Sequence, residues 1–250
     1  MTGNRPLQRL SCVACLVLAG CVGDESPPAD PDSTAPAERP EPQMDDATYL
    51  YQLGLMRGHL LVGNALFETG EQAAAGTHAK HPTDELYAPM ETEFAARGTA
   101  GFAAELEAHA QAVTAGDEVV VPDRYAELVA AIGKNEDVVQ VSSELAASVI
   151  VRLVREAGRE YAIGIVDGKP ANAHEYQDAF GFTQVAGFWA QTAAADNPAD
   201  KPVFERIAAH IEGLADMWPA LMPPAGVPHT AARLYGAAAD IEILALDLVR

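Results

Sequence analysis

Apolar residues recur at helical spacing from Asp45 onward, between breaks made by Gly and Pro. Tyr49, Leu53, Met56, Leu60 and Phe67 share one stripe, and Leu50, Leu61 and Leu66 fall on neighbouring faces. A helix that is apolar nearly all round belongs in the middle of a fold. The pattern therefore predicts a central helix over residues 46–69, ended by Gly70. Residues 71–81, rich in Ala and Gly, read as a loop. Pro82-Thr83-Asp84-Glu85 opens a second helix, with acids in the first turn where the helix dipole favours them, and Gly98 ends it. Further helices are expected over 100–115, 122–133, 136–165, 172–195 and 199–218. A last one, capped by Thr230, runs to the C-terminus. Asp167-Gly168-Lys169-Pro170 reads as a turn. The one strand-like run, Val119-Val120-Val121, has no partner in the sequence. The expectation is an all-α fold, an up-down bundle of about eight helices over residues 45–250, with a weak divide near Asn135.

Composition narrows the function. The 250 residues carry 36 acids against 16 bases, a net charge of −20. Phosphate binding needs a basic surface, so nucleic acid is excluded as a partner. The three cysteines stand at 12, 15 and 21, which leaves none for a thiolate, zinc or redox site in the helical body. The chain also lacks a Gly-x-Ser-x-Gly elbow, a phosphate-binding Gly-x-x-x-x-Gly-Lys loop and a His-Glu-x-x-His helix. The reading therefore leans away from an enzyme.

The N-terminus reads as an address. Arg5 and Arg9 precede a short apolar run, Leu10 to Leu18, too short to span a bilayer. It ends in Leu18-Ala19-Gly20-Cys21, which resembles the lipobox of bacterial lipoproteins. That resemblance implies a signal peptide over 1–20, lipid on Cys21 and export to the cell envelope. Val22 in place of an Asp favours the outer membrane, with the body facing the periplasm. Cleavage removes two bases and no acids, so the mature charge becomes −22. Such a chain is repelled by anionic surfaces, and lipid must hold it at the membrane. Residues 21–44 then form a tether. Six prolines and several acids extend it, to a reach on the order of 70 Å.

Candidate chemistry gathers in two places. His59 lies in the central helix, in phase with Leu55, Val62 and Leu66, and is at least partly buried. Gly54, Gly58 and Gly63 around it point to close backbone packing or to room for something bulky. The segment Thr77 to Glu85 places His78 and His81 three apart, with Glu85 four further on. Two imidazoles and a carboxylate suit a borderline divalent ion. First-turn acids equally explain Asp84 and Glu85. Glu93 lies near the Leu86/Met90 stripe; pointing inward, it needs a base, a metal or a donor, and Arg57 and Arg97 are available. In the second half, His174 and Asp178 stand four apart on one helix face, a common building block of metal sites in bundles. A solvated first turn explains them as well. His109, His210 and His229 are isolated and read as surface or cap residues.

The stretch Met56-Arg57-Gly58-His59-Leu60-Leu61-Val62 is faintly similar to the Gly-x-His-x-x-Glu hallmark of the imelysin family. Those are helical-bundle proteins of the bacterial envelope associated with iron acquisition. Here Gly58 abuts His59, and Val62 stands where the hallmark has Glu, so only the histidine carries over. The leading expectation is a lipid-anchored, non-catalytic binding protein for a divalent metal: Fe, Cu or Zn. Its ligands are drawn from His59, His78, His81, Glu85, Glu93, His174 and Asp178. The alternative is a protein-interaction module, an assembly or adaptor lipoprotein with a periplasmic protein partner.

Overall fold

The computed structural model describes residues 40–248. The signal peptide, Cys21 and the tether up to residue 39 lie outside the described residues. Residues 40–248 fold as a helical bundle, with nine α-helices among them. They are α1 Asp46–Glu68, α2 Gln72–His81, α3 Glu91–Arg97, α4 Ala103–Ala115, α5 Val121–Glu136, α6 Ser143–Gly164, α7 Ala173–Asp196, α8 Lys201–Glu212 and α9 Ala232–Ala245. None of the described helices is long and apolar enough to cross a membrane.

Helix α1 is central, and its start is fixed by local chemistry. The Asp45 carboxylate accepts from the Thr48 N–H at 2.7 Å, an N-cap worth about 1 kcal/mol. Tyr49, Leu53, Met56 and Leu60 are buried on one side, with Leu50, Val62 and Leu66 on others. Three glycines mark where neighbours close on it. A Cβ at Gly54 would meet the Leu153 side chain of α6 at 3.2 Å. One at Gly58 would meet the Phe182 ring of α7 at 2.4 Å, and one at Gly63 the Ala75 carbonyl of α2 at 3.3 Å. Capping also sets the other two long helices: Ser142 Oγ caps α6 through Leu145 N–H at 3.2 Å, and Asn172 caps α7 through His174 N–H at 3.1 Å. Helix α6 packs along α7 and α9, and α8 against α7.

Several expectations need correction. Residues 71–81 are helical, not a loop. The helical path continues through a π-helix, Pro82–Tyr87, and a short 3-10 turn before α3. Pro82 has no N–H to offer the fourth carbonyl before it, that of His78, so the α-ladder stops and the turn widens. Helix α6 begins at Ser143, seven residues later than the periodicity suggests, because Ser142 caps it there. Val121 opens α5, so the valine run makes no strand. The short strands that do form are β1 Ile165–Val166 and β2 Lys169–Pro170, antiparallel across Asp167-Gly168. Both turn residues have positive φ, 51° and 71°, the signature of a type I′ hairpin. Thr230 makes no side-chain cap to α9, whose flanking residue is Ala231. Gln43 and Met44, expected in the tether, are docked on the body by hydrogen bonds from their N–H groups to Glu93.

His109 is the largest departure. It is fully buried in α4, not at the surface, and neither ring nitrogen has a hydrogen-bond partner among the described residues. Burial pushes its pKa down from 6.5 to about 4. Between those values the unfolded chain takes a proton that the folded chain refuses. Stability is therefore full above pH 6.5 and falls as the pH drops toward 4, by up to about 3 kcal/mol from this residue. Other histidines titrate over the same range, so the comparison with His109→Leu isolates the effect. Urea unfolding at pH 7 and at pH 4.5 is expected to show a smaller acid loss in His109→Leu. An equal acid loss in both proteins contradicts this reading.

Candidate metal centre

Helices α1, α2 and α7 meet around one carboxylate. Asp178, in the second turn of α7, is buried, and three imidazoles converge on it. His59 Nδ1 of α1 stands 2.6 Å from Asp178 Oδ1. His78 Nδ1, in the last turn of α2, stands 3.2 Å from the same oxygen. His174 Nε2, one turn back on α7, stands 3.2 Å from Oδ2. One ligand atom from each of these four residues lies within 4.8 Å of all the others. Four ligands of one tetrahedral ion sit roughly 3.3 Å apart, so small side-chain rotations suffice to enclose one.

The sequence builds this junction with missing side chains. A Cβ at Gly181 would fall 2.4 Å from the Gly58 carbonyl oxygen, so α7 crosses α1 almost backbone to backbone. His59 is next to Gly58, and Asp178 lies one turn before Gly181, which brings them together. Gly63 does the same for α2: a Cβ there would also meet His78 Cβ at 3.3 Å. The Asn172 cap holds the first turn of α7 and with it His174.

Gln177 fixes the role of His78. Its amide nitrogen donates to the Leu221 carbonyl at 3.3 Å, so its oxygen accepts from His78 Nε2 at 2.9 Å. In the metal-binding form of the His78 ring the proton therefore sits on Nε2, which leaves the Nδ1 lone pair to be offered toward Asp178 Oδ1. In that form two acceptors lie 3.2 Å apart in a buried place, an arrangement that a shared cation satisfies. His59 Nδ1, His78 Nδ1, His174 Nε2 and Asp178 Oδ1 are all buried, and none of them makes an aligned hydrogen bond.

The electrostatics fit a cation there. Burial raises the Asp178 carboxyl, but the adjoining His59 and His78 imidazoles more than reverse this and hold it below the ordinary carboxylate range. Burial, opposed by Asp178 and helped by the other histidines, pushes His174 down to about 4. It is therefore neutral, as a ligand must be. On the α6 flank, burial, a hydrogen bond with Glu175 and the charges of Glu175 and Asp178 push Glu160 up to about 7.

The remaining candidates lie elsewhere. His81 stacks beside the cluster, its ring 4.4 Å from His59 and 5.1 Å from His174, and its Nε2 faces Glu85 at 3.3 Å. Neither His81 nor Glu85 belongs to the converging four. Glu93 is buried away from the cluster: it accepts from the N–H groups of Gln43 and Met44 and pairs with Arg97 at 3.8 Å. Arg57, the other partner considered for it, pairs with Glu136 at 2.6 Å. The sequence places Gln177 only on a polar strip of its helix with Gly181 and Gln184, because its role depends on the distant Leu221 carbonyl.

Residues 136–246 match the family described as iron permease-associated 4-helix bundle domain. That stretch covers α6 to α9 and supplies His174, Gln177 and Asp178; His59 and His78 come from the part before it. No curated protein and no solved structure matches the chain.

Proposed function

We propose that this protein binds one divalent transition metal ion at His59, His78, His174 and Asp178, holding it as cargo. Iron(II) is the proposed cargo, with copper(II) and zinc(II) as the other metals this donor set accepts. The observation that carries the reading is the convergence of one ligand atom from each of these four residues, three of them buried, within 4.8 Å of one another. The match to an iron permease-associated domain supports iron, because that segment provides half of the ligands. The resemblance of Leu18-Ala19-Gly20-Cys21 to a lipobox supports a lipid-anchored protein that faces the periplasm.

Each residue then has a distinct task. Asp178 neutralises charge from the centre of the site. His59, His78 and His174 supply neutral nitrogens from three helices, so binding ties α1, α2 and α7 together. Gln177 orients His78. Phe182, edge-on to His59 at 5.1 Å, keeps water from one side.

The test is a titration of the full chain, purified without a histidine tag, with anaerobic Fe(II), then Zn(II) and Cu(II). One ion per chain is expected. At a hundredfold excess over Kd it adds about 2.7 kcal/mol, or a Tm rise of roughly 5–10 °C for a domain of this size. His59→Ala is expected to abolish the rise. Absence of stoichiometric metal, or an undiminished rise in His59→Ala, refutes the proposal.

A further inference from the structure

Exposure across the cluster is graded. Side-chain accessibility is 0% for His78, 2% for Asp178 and 4% for His59, then 20% for His174, 24% for His81 and 64% for Glu85. His81 and Glu85 thus form a file from solvent to the buried ligands. We propose that this pair is the route by which the metal enters and leaves, a transient two-ligand stop outside the four-ligand site. This rests on the proposed metal binding and adds a kinetic role to it.

The geometry gives three reasons. First, His81 lies against two of the ligands: its ring is 4.4 Å from that of His59 and 5.1 Å from that of His174. An ion on His81 therefore has only a ring's width to travel. Second, His81 Nε2 and Glu85 Oε2 are 3.3 Å apart, close to the spacing of two ligands on one ion, and they supply one nitrogen and one oxygen. Two ligands at an exposed place hold an ion weakly and release it quickly, whereas four buried ones hold it tightly. An ion that exchanges part of its water for His81 and Glu85, and then exchanges those for the buried set, never loses its whole shell at once. Third, the pair straddles the break in the helix. The α-ladder of α2 ends at His81 and the π-turn begins at Pro82, so His81 and Glu85 sit where the backbone has lost a helical hydrogen bond. Single π-turns of this kind recur at functional sites.

The test separates rate from affinity. Zn(II) uptake by the full metal-free chain is followed by stopped flow, and release by transfer to an excess of chelator. His81→Ala is expected to keep one Zn(II) per chain at nearly unchanged affinity while slowing uptake and release equally, by about tenfold, a barrier change of roughly 1.4 kcal/mol. Glu85→Gln, at an exposed position that cannot disturb folding, is expected to slow both by less and to weaken the salt dependence of uptake. Unchanged rates in His81→Ala overturn the relay and leave the metal site standing. Loss of stoichiometric Zn(II) in a folded His81→Ala protein overturns it in favour of His81 as a ligand. A wild-type chain that takes up no metal removes the site and the relay together.

Discussion

Asp178→Asn is expected to lower metal affinity by on the order of 100-fold or more and to cost the metal-free bundle less, about 1–3 kcal/mol. The two effects have different causes. With metal bound, Asp178 is the only anion among three neutral imidazoles in the converging set, and the amide leaves a buried dication without its counter-charge. Without metal, the carboxylate is buried close to three histidine nitrogens, and His59 and His78 hold it below the ordinary carboxylate range, so the fold loses that attraction together with the charge. The amide keeps the volume and leaves no cavity, which limits the loss. Urea midpoints of the metal-free proteins and Zn(II) affinities by competition with a chelator check both halves. Equal affinity in wild type and Asp178→Asn contradicts the ligand set. A loss confined to metal-free stability shows instead that Asp178 is a structural ion-pair partner.

The second large effect concerns a residue with no ligand atom. Gly181→Ala is expected to destabilise the protein by about 2 kcal/mol or more and to weaken metal binding as well. The added methyl would sit 2.4 Å from the Gly58 carbonyl oxygen, 2.8 Å from Val62 Cγ2 and 2.9 Å from the Gly58 carbonyl carbon. Two of those three atoms are backbone, so α7 must back away from α1. Ala favours a helix over Gly by up to about 1 kcal/mol, which offsets only part of the loss. The same retreat carries Asp178 away from His59, now 2.6 Å from it. Gly236→Ala is the control. It lies in α9, where a Cβ meets nothing within 4 Å, so it is expected to gain stability and leave metal binding alone. Similar behaviour of the two variants would show that the α1–α7 crossing does not set the site.

The residues behind these two predictions also show what the sequence reveals and what it hides. Helices α1 and α7 are legible because their apolar residues are large and periodic, and the spacing of His174 and Asp178 places them on one face. The glycines of α1 signal close crossings, but not which helices cross there. Helix α2 escapes detection because Ala75 and Ala79 bury it with small side chains, as close contact at Gly63 demands. Small residues leave no hydrophobic stripe. His78 therefore reads as a loop residue, whereas it is the most deeply buried ligand. Its orientation by Gln177 is hidden because it depends on the Leu221 carbonyl, far along the chain. His109 carries a usable signal that composition obscures: it falls in phase with Leu106, Ala110 and Val113, all buried. The periodicity overextends helix α6 because Val138 fits its period, although Val138 is 44% exposed and precedes the Ser142 cap.

The most direct measurement is the crystal structure of the metal-loaded protein, with the ion located by its anomalous scattering. One ion per chain is predicted among α1, α2 and α7. It should be bonded to His59, to His174, to Asp178 and to His78 through Nδ1, at about 2.0–2.2 Å, with His78 Nε2 still donating to Gln177. An ion found only on surface carboxylates, or an empty cluster in which a protonated His78 Nδ1 donates to Asp178, would contradict it.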